Sequence, residues 1–242
     1  MPGWSALPEH GAGSSPRYFS QGKRILLAPD RDTDALRTLL TDPDKIACKG
    51  RQILKTDATT TLWLAPMDGE QWVIKRYNTR GPWHALKRAL HRTRAANCWR
   101  MAHTYLACGI ATAPPVALIE QRHGGFAGRS WFVNAFVEGT LLSDLLRERR
   151  DLGGLETVTD GVVEIFAALQ ANRLSHGDMK ATNILLVDGV PLLLDLDAAR
   201  LHHSGWAHRR ALARDRRRFL RNWDRQPEIR RMFAARLDAL QL

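Results

Sequence analysis

The sequence predicts an α+β fold with a β-rich first part and a mostly helical second part. Three β-prone runs, at residues 52–56, 59–65 and 71–77, surround a polar turn and the hairpin signal Asp68-Gly69, so they predict a three-stranded meander. Good helix formers dominate residues 83–107, and apolar residues recur at helical spacing over residues 155–172. A loop at residues 176–183, a strand at 184–187 and a short apolar strand at 192–194 follow. This order is typical of two small lobes without an internal repeat.

The remaining segments complete the organisation. Residues 1–22 are rich in Gly, Ser and Pro and predict an irregular leader, and residues 32–40 predict a short helix that Asp42-Pro43-Asp44 ends. Further predicted elements are strands at 116–119 and 130–137, a helix at 140–150 and C-terminal helices from about 207 to 240. We therefore divide the chain into a leader with its helix at 1–50, a first lobe at 51–137, and a second lobe with Arg-rich helices at 138–242.

Length and composition indicate a globular protein rather than a disordered one. The chain has 242 residues, of which 44% are hydrophobic and 25% are charged. No apolar run approaches the roughly 18 residues that a membrane-spanning helix needs. The first twenty residues lack a continuous apolar region, so we expect a cytoplasmic location. Three cysteines without CxxC spacing favour free thiols over disulfides or a zinc site.

The net charge of +11 is concentrated in two stretches of the chain. Residues 71–119 contain eight Lys or Arg and no acid, and residues 200–242 contain twelve Arg against four acids. Such a field attracts nucleic acid, anionic lipid headgroups or phosphorylated glycans. A solvated basic face without a partner is the simpler alternative.

The segment HGDMKATNILL, which begins at His176, resembles the catalytic loop of protein kinases. The resemblance implies that Asp178 is the base or hydroxyl-orienting group, that Lys180 contacts the γ-phosphate, and that Asn183 binds Mg²⁺. The later run PLLLDLD places Asp195 at the end of a short apolar strand, where kinases carry a second metal-binding aspartate. Together the two segments predict phosphoryl transfer from ATP with Mg²⁺ as the metal.

The first lobe supplies candidates for binding ATP. The run WVIK places Lys75 where the resemblance predicts a lysine for the α- and β-phosphates, and FVNAFVEG resembles the hinge whose backbone meets adenine. The run KTDATTT stands where kinases carry a glycine-rich loop, so Thr side chains and backbone N–H groups would cover the phosphates instead. The predicted nucleotide-binding residues are Lys75, Lys55, Thr56, Thr59, Thr60, Ala135, Phe136 and Val137.

A narrower resemblance appears at residues 94–116, RAANCWRMAHTYLACGIATAPPV, together with IKRYN and the HGDMKATNILL loop. These segments resemble the lipopolysaccharide core kinases, the Kdo and heptose kinases of Gram-negative bacteria, including an InaA-like branch, over about residues 54–223. The resemblance implies a bilobal protein-kinase-like fold with a minimal activation segment. It also implies phosphate transfer to a heptose or Kdo hydroxyl of the inner core. The glycolipid and an anionic membrane surface would be the partners, with the protein peripheral on the cytoplasmic face of the inner membrane.

Three departures from the kinase pattern stand out. The glycine-rich loop is missing, and no acid on the following helix can pair with Lys75, since the aligned place holds Asn97-Cys98. Lys75 would then be oriented by another group, such as Asp195, or by ATP itself. Gly177 replaces the arginine that contacts an activation-loop phosphate, so control by phosphorylation of that loop is not expected.

Three other functions remain open. The missing acid favours a pseudokinase that binds nucleotide or anionic glycolipid without turnover. The HGD motif also occurs in aminoglycoside phosphotransferases, although these usually carry His where this chain has Lys180, and other small-molecule or protein kinases share the motif. Nucleic-acid binding rests on charge alone, and we expect none. The segment RRALARDRRRFLRNW more simply predicts an amphipathic helix, with its arginines facing outward and with Leu212, Phe219, Leu220 and Trp223 facing inward. The oligomeric state is left open.

Overall fold

A computed structural model describes most of the chain as two compact units. The described residues are 5–6, 17–20, 22–28, 34, 36–37, 42–46, 52–67, 69–78, 92–123, 126–147 and 155–241. Unit 1 comprises residues 1–100 and 114–136, and unit 2 comprises residues 101–113 and 137–242.

Unit 1 is built on an antiparallel sheet of eight strands. They are β1 Ser5–Ala6, β2 Arg17–Ser20, β3 Lys23–Leu27, β4 Gln52–Thr56, β5 Thr60–Met67, β6 Glu70–Tyr77, β7 Pro115–His123 and β8 Phe126–Ala135. Their order across the sheet is β1-β2-β3-β7-β8-β6-β5-β4. Alternate residues point to one face of a strand, and large apolar side chains on that face, among them Trp63, Ile74 and Trp131, form the core of the unit.

The predicted meander is confirmed. The prediction of an irregular leader over residues 1–22 is wrong for the part of it that the structure describes, because β1 and β2 are strands. Strands β4, β5 and β6 pair in sequence, with Gly69 in the turn that Asp68-Gly69 predicted. In contrast, β2 pairs with β3 through a turn at Gly22, whose φ of +71° suits glycine. Strand β3 then pairs with β7, which is distant in the sequence. Local composition could not predict this long-range pairing.

Two helices each begin at a clear start signal. Pro43 opens the short helix α1, Pro43–Ile46, so the Asp42-Pro43-Asp44 segment begins a helix where we expected only the end of one. Helix α2, Arg94–Ala107, follows Thr93, whose Oγ1 accepts a hydrogen bond from the N–H of Ala96 (3.0 Å). The earlier part of the predicted helical stretch, residues 83–91, lies outside the described residues.

Unit 2 combines helices with short strands. The helices are α3 Leu142–Arg147, α4 Leu155–Ala171, α5 Gly205–Arg221 and α6 Pro227–Asp238. The strands are β9 Thr140–Leu141, β10 Leu174–Ser175, β11 Ile184–Val187, β12 Val190–Leu193 and β13 Arg200–Leu201. They form a three-stranded sheet in the order β12-β11-β9 and a β10-β13 pair.

The core of unit 2 joins α4, α5 and α6 through aromatic side chains. Phe219 packs edge-on against Phe166 and Phe233, with ring centroids 5.8 and 4.8 Å apart, and Trp223 stacks on Phe233. Leu212, Phe219, Leu220 and Trp223 are all buried, so the predicted inward face of the Arg-rich helix is confirmed. Among the described residues, no helix is both long enough and apolar enough to cross a bilayer.

Candidate active site

The HGDMKATNILL segment forms a loop that follows β10 and leads through a 3₁₀ turn, Ala181–Asn183, into β11. His176 is fully buried and fixes the loop from both ring nitrogens. Its Nε2–H donates to the carbonyl of Leu194 (2.9 Å), and its Nδ1 accepts the backbone N–H of Asp178 (3.2 Å). These partners fix one tautomer of His176, and with it the direction in which Asp178 leaves the loop.

Asp215 on α5 holds the backbone of the same loop. Its carboxylate accepts the N–H of His176 at 2.7 Å and the N–H of Gly177 at 2.9 and 3.1 Å. Only 1% of Asp215 is exposed. Burial raises the pKa of the Asp215 carboxyl, and the hydrogen bonds from Gly177 and His176 oppose that rise. The carboxylate therefore satisfies two backbone donors that would otherwise be buried without acceptors.

Gly177 is required at its position by backbone geometry. Its φ is +79°, and a Cβ placed there would lie 2.6 Å from the carbonyl oxygen of Ala198 and 2.8 Å from its Cβ. An arginine could not adopt this conformation without moving the neighbouring backbone. The departure from the kinase pattern noted in the sequence thus has a structural cause.

The Asp178 carboxylate lies among two cations and an amide. Its Oδ2 is 2.9 Å from Nζ of Lys180, and its Oδ1 is 2.8 Å from Nη1 of Arg218. Asn183 donates from Nδ2 to the Asp178 carbonyl oxygen (2.9 Å) and to Oδ2 (3.3 Å). The side chain of Asp178 is 24% exposed, so it is positioned by the protein but open to an acceptor. The three residues of the motif that sequence analysis singled out therefore lie together.

Asp195 is placed next to this cluster through the backbone. The N–H of Leu194 donates to the carbonyl of Asn183 (2.9 Å), which ties the end of β12 to the 3₁₀ turn. Asp195 follows with a left-handed backbone (φ +58°) and caps a second 3₁₀ turn, Leu196–Ala198. Its side chain is on the surface of unit 2.

The side-chain oxygen atoms of Asn183 and Asp195 are suitable ligands for Mg²⁺. The NH₂ group of Asn183 donates to Asp178, so the Oδ1 atom of Asn183 points away from the Asp178 carboxylate. One carboxylate and one amide oxygen are a typical protein contribution to a Mg²⁺ site, which takes its other ligands from water and phosphate. Within the described part of the chain, no cluster of three or more His, Cys, Asp or Glu could hold a metal without a substrate. The residues fit Mg²⁺ bound together with a nucleotide.

Lys75 lies on β6 of unit 1, opposite Leu62 of β5 and Phe132 of β8. Its Nζ is 5.4 Å from the centroid of the Tyr77 ring. Arg94 of α2 lies over the same ring at 4.8 Å, and the Tyr77 hydroxyl is 3.3 Å from Sγ of Cys98. The contact between β6 and α2 is thus made by the Tyr77 ring and the Cys98 thiol, and α2 carries no acidic residue that could pair with Lys75.

The KTDATTT segment forms a tight turn between β4 and β5 that Asp57 organises. Its Oδ1 accepts the N–H of Thr59, the N–H of Thr60 and the Thr59 hydroxyl, each at 2.8 Å. These hydrogen bonds lower the pKa of the Asp57 carboxyl. Lys55 is 3.8 Å from Oδ2 of the same residue, and Thr56 is exposed at the end of β4. The N–H groups that we predicted to cover phosphates are therefore engaged by Asp57 in this structure.

Part of the backbone in the predicted hinge is also engaged. The N–H of Ala135 donates to Pro114 (2.9 Å), its carbonyl accepts the Asn134 amide (2.8 Å), and the N–H of Phe136 donates to Gln71 (2.8 Å).

Sequence reasoning missed Asp215 and Arg218 as site residues. We expected the arginines of α5 to face outward, yet Arg218 contacts both Asp178 and the Gly177 carbonyl (3.2 Å). The sequence did contain a signal for Asp215. This residue lies at helical spacing from Ala211, Leu212 and Phe219, on the buried face of the helix, and a charged residue on a buried face needs hydrogen-bond or ion-pair partners.

Comparison with known proteins agrees with the fold. The family described as "Lipopolysaccharide kinase (Kdo/WaaP) family" matches residues 47–235. The chain belongs to this family. Within the Kdo/WaaP family, a solved structure of WaaP in complex with acyl carrier protein resembles it with a TM-score of 0.56 and 18% identity, over 90% of this chain and 96% of that one. The predictions of a kinase-like α+β fold and of a kinase of the lipopolysaccharide core family are confirmed.

A further relative is "Probable serine/threonine-protein kinase PkwA" of Thermomonospora curvata. It is 38% identical over 72 residues, which are 29% of this chain. This chain spans only 10% of the length of that curated relative.

Proposed function

We propose that this Kdo/WaaP family member transfers phosphate from ATP to a hydroxyl of a heptose or Kdo sugar in the lipopolysaccharide inner core. The observation that carries the proposal is the Asp178 carboxylate, which lies 2.9 Å from Lys180 and within reach of the Asn183 amide (3.3 Å). Phosphoryl transfer depends mainly on positioning and charge neutralisation, and this cluster provides both.

Asp178 is the residue that orients the acceptor hydroxyl and accepts its proton. The hydroxyl oxygen bonds to the γ-phosphorus while the bond from that phosphorus to the β–γ bridging oxygen breaks, which releases ADP. Lys180 neutralises charge on the transferred group. His176 and Asp215 keep the loop in place through the hydrogen bonds described above.

Asn183 and Asp195 would hold Mg²⁺, which supplies charge neutralisation at the β- and γ-phosphates. Lys75 would contact the α- and β-phosphates, and the Phe136 carbonyl and Val137 N–H would meet adenine. Lys55, Thr56, Thr59 and Thr60 would cover the phosphates once the Thr N–H groups exchange Asp57 for phosphate oxygens. The carboxylate and a phosphate oxygen are both anionic acceptors, so the same N–H groups can donate to either one.

We also propose that the protein acts peripherally at the cytoplasmic face of the inner membrane, where an anionic glycolipid acceptor is presented. The net charge of +11 supports this placement. Trp206 on α5 is 64% exposed, and Arg210 lies 5.4 Å from its ring, a combination suited to a lipid interface. The solved complex of WaaP suggests an acyl carrier protein as a second partner to test.

A second candidate function is binding of nucleotide or glycolipid without turnover. It is favoured by the absence of Asp and Glu from residues 71–119 and by the Tyr77 ring next to Lys75. Turnover of Mg-ATP distinguishes the two functions.

The test of the site compares Asp178→Ala and Asp195→Ala with Asp188→Asn. Asp178→Ala should abolish transfer to lipid-linked core while ATP binding stays measurable. Asp195→Ala should weaken the Mg²⁺-dependent part of nucleotide binding. Asp188, an exposed turn residue between β11 and β12, is the control and should transfer at the wild-type rate. Undiminished transfer by both alanine variants would contradict the site assignment.

A further inference from the structure

A basic pocket lies beside the catalytic loop in unit 2. Its volume is about 390 Å³, which falls within the roughly 300–1,000 Å³ of small-molecule sites. Five arginines line it: Arg200 on β13 and Arg214, Arg217, Arg218 and Arg221 on α5. We call it the arginine pocket.

Helical spacing explains how α5 fills the pocket with guanidinium groups. Residues 214, 217, 218 and 221 recur at intervals of three and four, so they share one face of the helix. Like charges at this spacing repel and destabilise an isolated helix. The arrangement therefore costs stability unless an anion neutralises it.

The protein itself provides little neutralisation in this pocket. Asp215 is the one carboxylate in the lining, and its oxygens already accept the N–H groups of His176 and Gly177. Among the described residues, no carboxylate forms an ion pair with Arg200, Arg217 or Arg221. Burial is the main cause that lowers the pKa of His202 in the lining, and His208 and the guanidiniums of Arg200 and Arg214 lower it further.

Arg218 joins the pocket to the reaction centre. It lines the pocket, and its Nη1 lies 2.8 Å from Oδ1 of Asp178 and 3.2 Å from the Gly177 carbonyl. A ligand in the pocket would therefore lie next to the group that orients the acceptor hydroxyl. Planar guanidiniums bind phosphate oxygens in pairs, and clusters of them recognise phosphate esters.

We propose that the arginine pocket binds a phosphate group, and that in the reaction this group is a phosphate already carried by the acceptor glycan. The second part rests on the proposed function; the first part does not. The kinase would then prefer an acceptor that an earlier phosphorylating reaction has modified.

The test uses the full chain with the double substitution Arg217→Gln/Arg221→Gln. Neither residue contacts Asp178 in the structure, and glutamine keeps much of the side-chain length. The matched control is Arg209→Gln/Arg231→Gln, which removes the same charge at exposed positions outside the pocket lining. A single cooperative thermal transition in each protein establishes that all three are folded, and we expect the midpoint of the pocket variant to lie at or above that of wild type, because two repelling charges are removed.

The first arm measures binding of inorganic phosphate by calorimetry in the absence of nucleotide. The pocket variant should bind it at least about tenfold more weakly than wild type, because two charge-assisted contacts are lost. The control should stay within about twofold, since neither of its arginines lines the pocket and salt screens charges that do not contact the ligand. Equal phosphate affinity in wild type and pocket variant would overturn the proposal.

The second arm compares two acceptors: core oligosaccharide from cells lacking this protein, with its other phosphates retained, and the same material after dephosphorylation. We expect the pocket substitutions to lower kcat/KM at least about tenfold for the phosphorylated acceptor only. If phosphate binding is lost but both acceptors are used as by wild type, the acceptor assignment is overturned and free phosphate is the ligand. If wild type transfers to neither acceptor, the proposed function fails, and the first arm still decides the pocket.

Discussion

Replacing Asp215 with asparagine removes the charge that holds the backbone of the catalytic loop. In the native chain, the two carboxylate oxygens accept the N–H groups of His176 and Gly177. Asparagine has one oxygen, so its NH₂ group must face one of these donors. A buried donor left without an acceptor costs about 1–3 kcal/mol, and the other bond loses its charge assistance.

Burial of the native carboxylate offsets part of this cost. Because burial raises the pKa of Asp215, the neutral amide avoids a desolvation penalty that the carboxylate carries. We therefore expect Asp215→Asn to lower the free energy of unfolding by about 1–3 kcal/mol at pH 7. Phosphate transfer should fall further, about 10- to 100-fold, since Asp178 depends on the position of this loop.

Denaturant unfolding and single-turnover transfer measure the two effects separately. The control is Asp238→Asn, which breaks an exposed ion pair with Arg216 and should cost no more than about 1 kcal/mol. An Asp215→Asn protein with wild-type stability and a wild-type rate would refute the role given to Asp215.

Other predictions concern the loop, the surface and pH. Gly177→Ala should cost about 2–4 kcal/mol of unfolding free energy, more than Gly189→Ala at a similar positive φ, because only the former meets the Ala198 backbone; equal losses would contradict this. Trp206→Ala should weaken binding to anionic lipid vesicles about three- to tenfold in a flotation assay, and unchanged retention would argue against a lipid interface there. Burial lowers the pKa of His103 from 6.5, so the unfolded chain takes up the proton first and stability should fall as pH drops below about 6.5. His103→Gln should reduce that slope in denaturant titrations at pH 5 to 7.

The loop that begins at His176, and the clustering of its polar side chains, could be predicted from the sequence because both depend on nearby residues. Asp178, Lys180 and Asn183 lie within six consecutive residues, and the strand behind them begins at Ile184 as the apolar run predicted. The hairpin at Gly69 was predictable for the same reason, since a turn depends on adjacent residues.

The parts that could not be predicted depend on distant segments. Asp215 and Arg218 reach the loop across 38 and 41 positions, and no short motif marks such a contact. Strand β2 was missed because it pairs with β3, and β3 pairs with the distant strand β7. The extended conformation of β2 therefore depends on the sheet rather than on its own composition. The engagement of Thr59 and Thr60 by Asp57 was likewise hidden, because the sequence shows donors without showing their acceptors.

The most direct test of the central claim is mass spectrometry of lipid-linked core after incubation with the purified protein and Mg-ATP. The core should come from cells that lack this protein. We expect the wild-type protein to add one phosphate to a heptose or Kdo residue and Asp178→Ala to add none. A core whose mass is unchanged by the wild-type protein, while ATP still binds, would contradict the phosphotransferase and favour a binding protein.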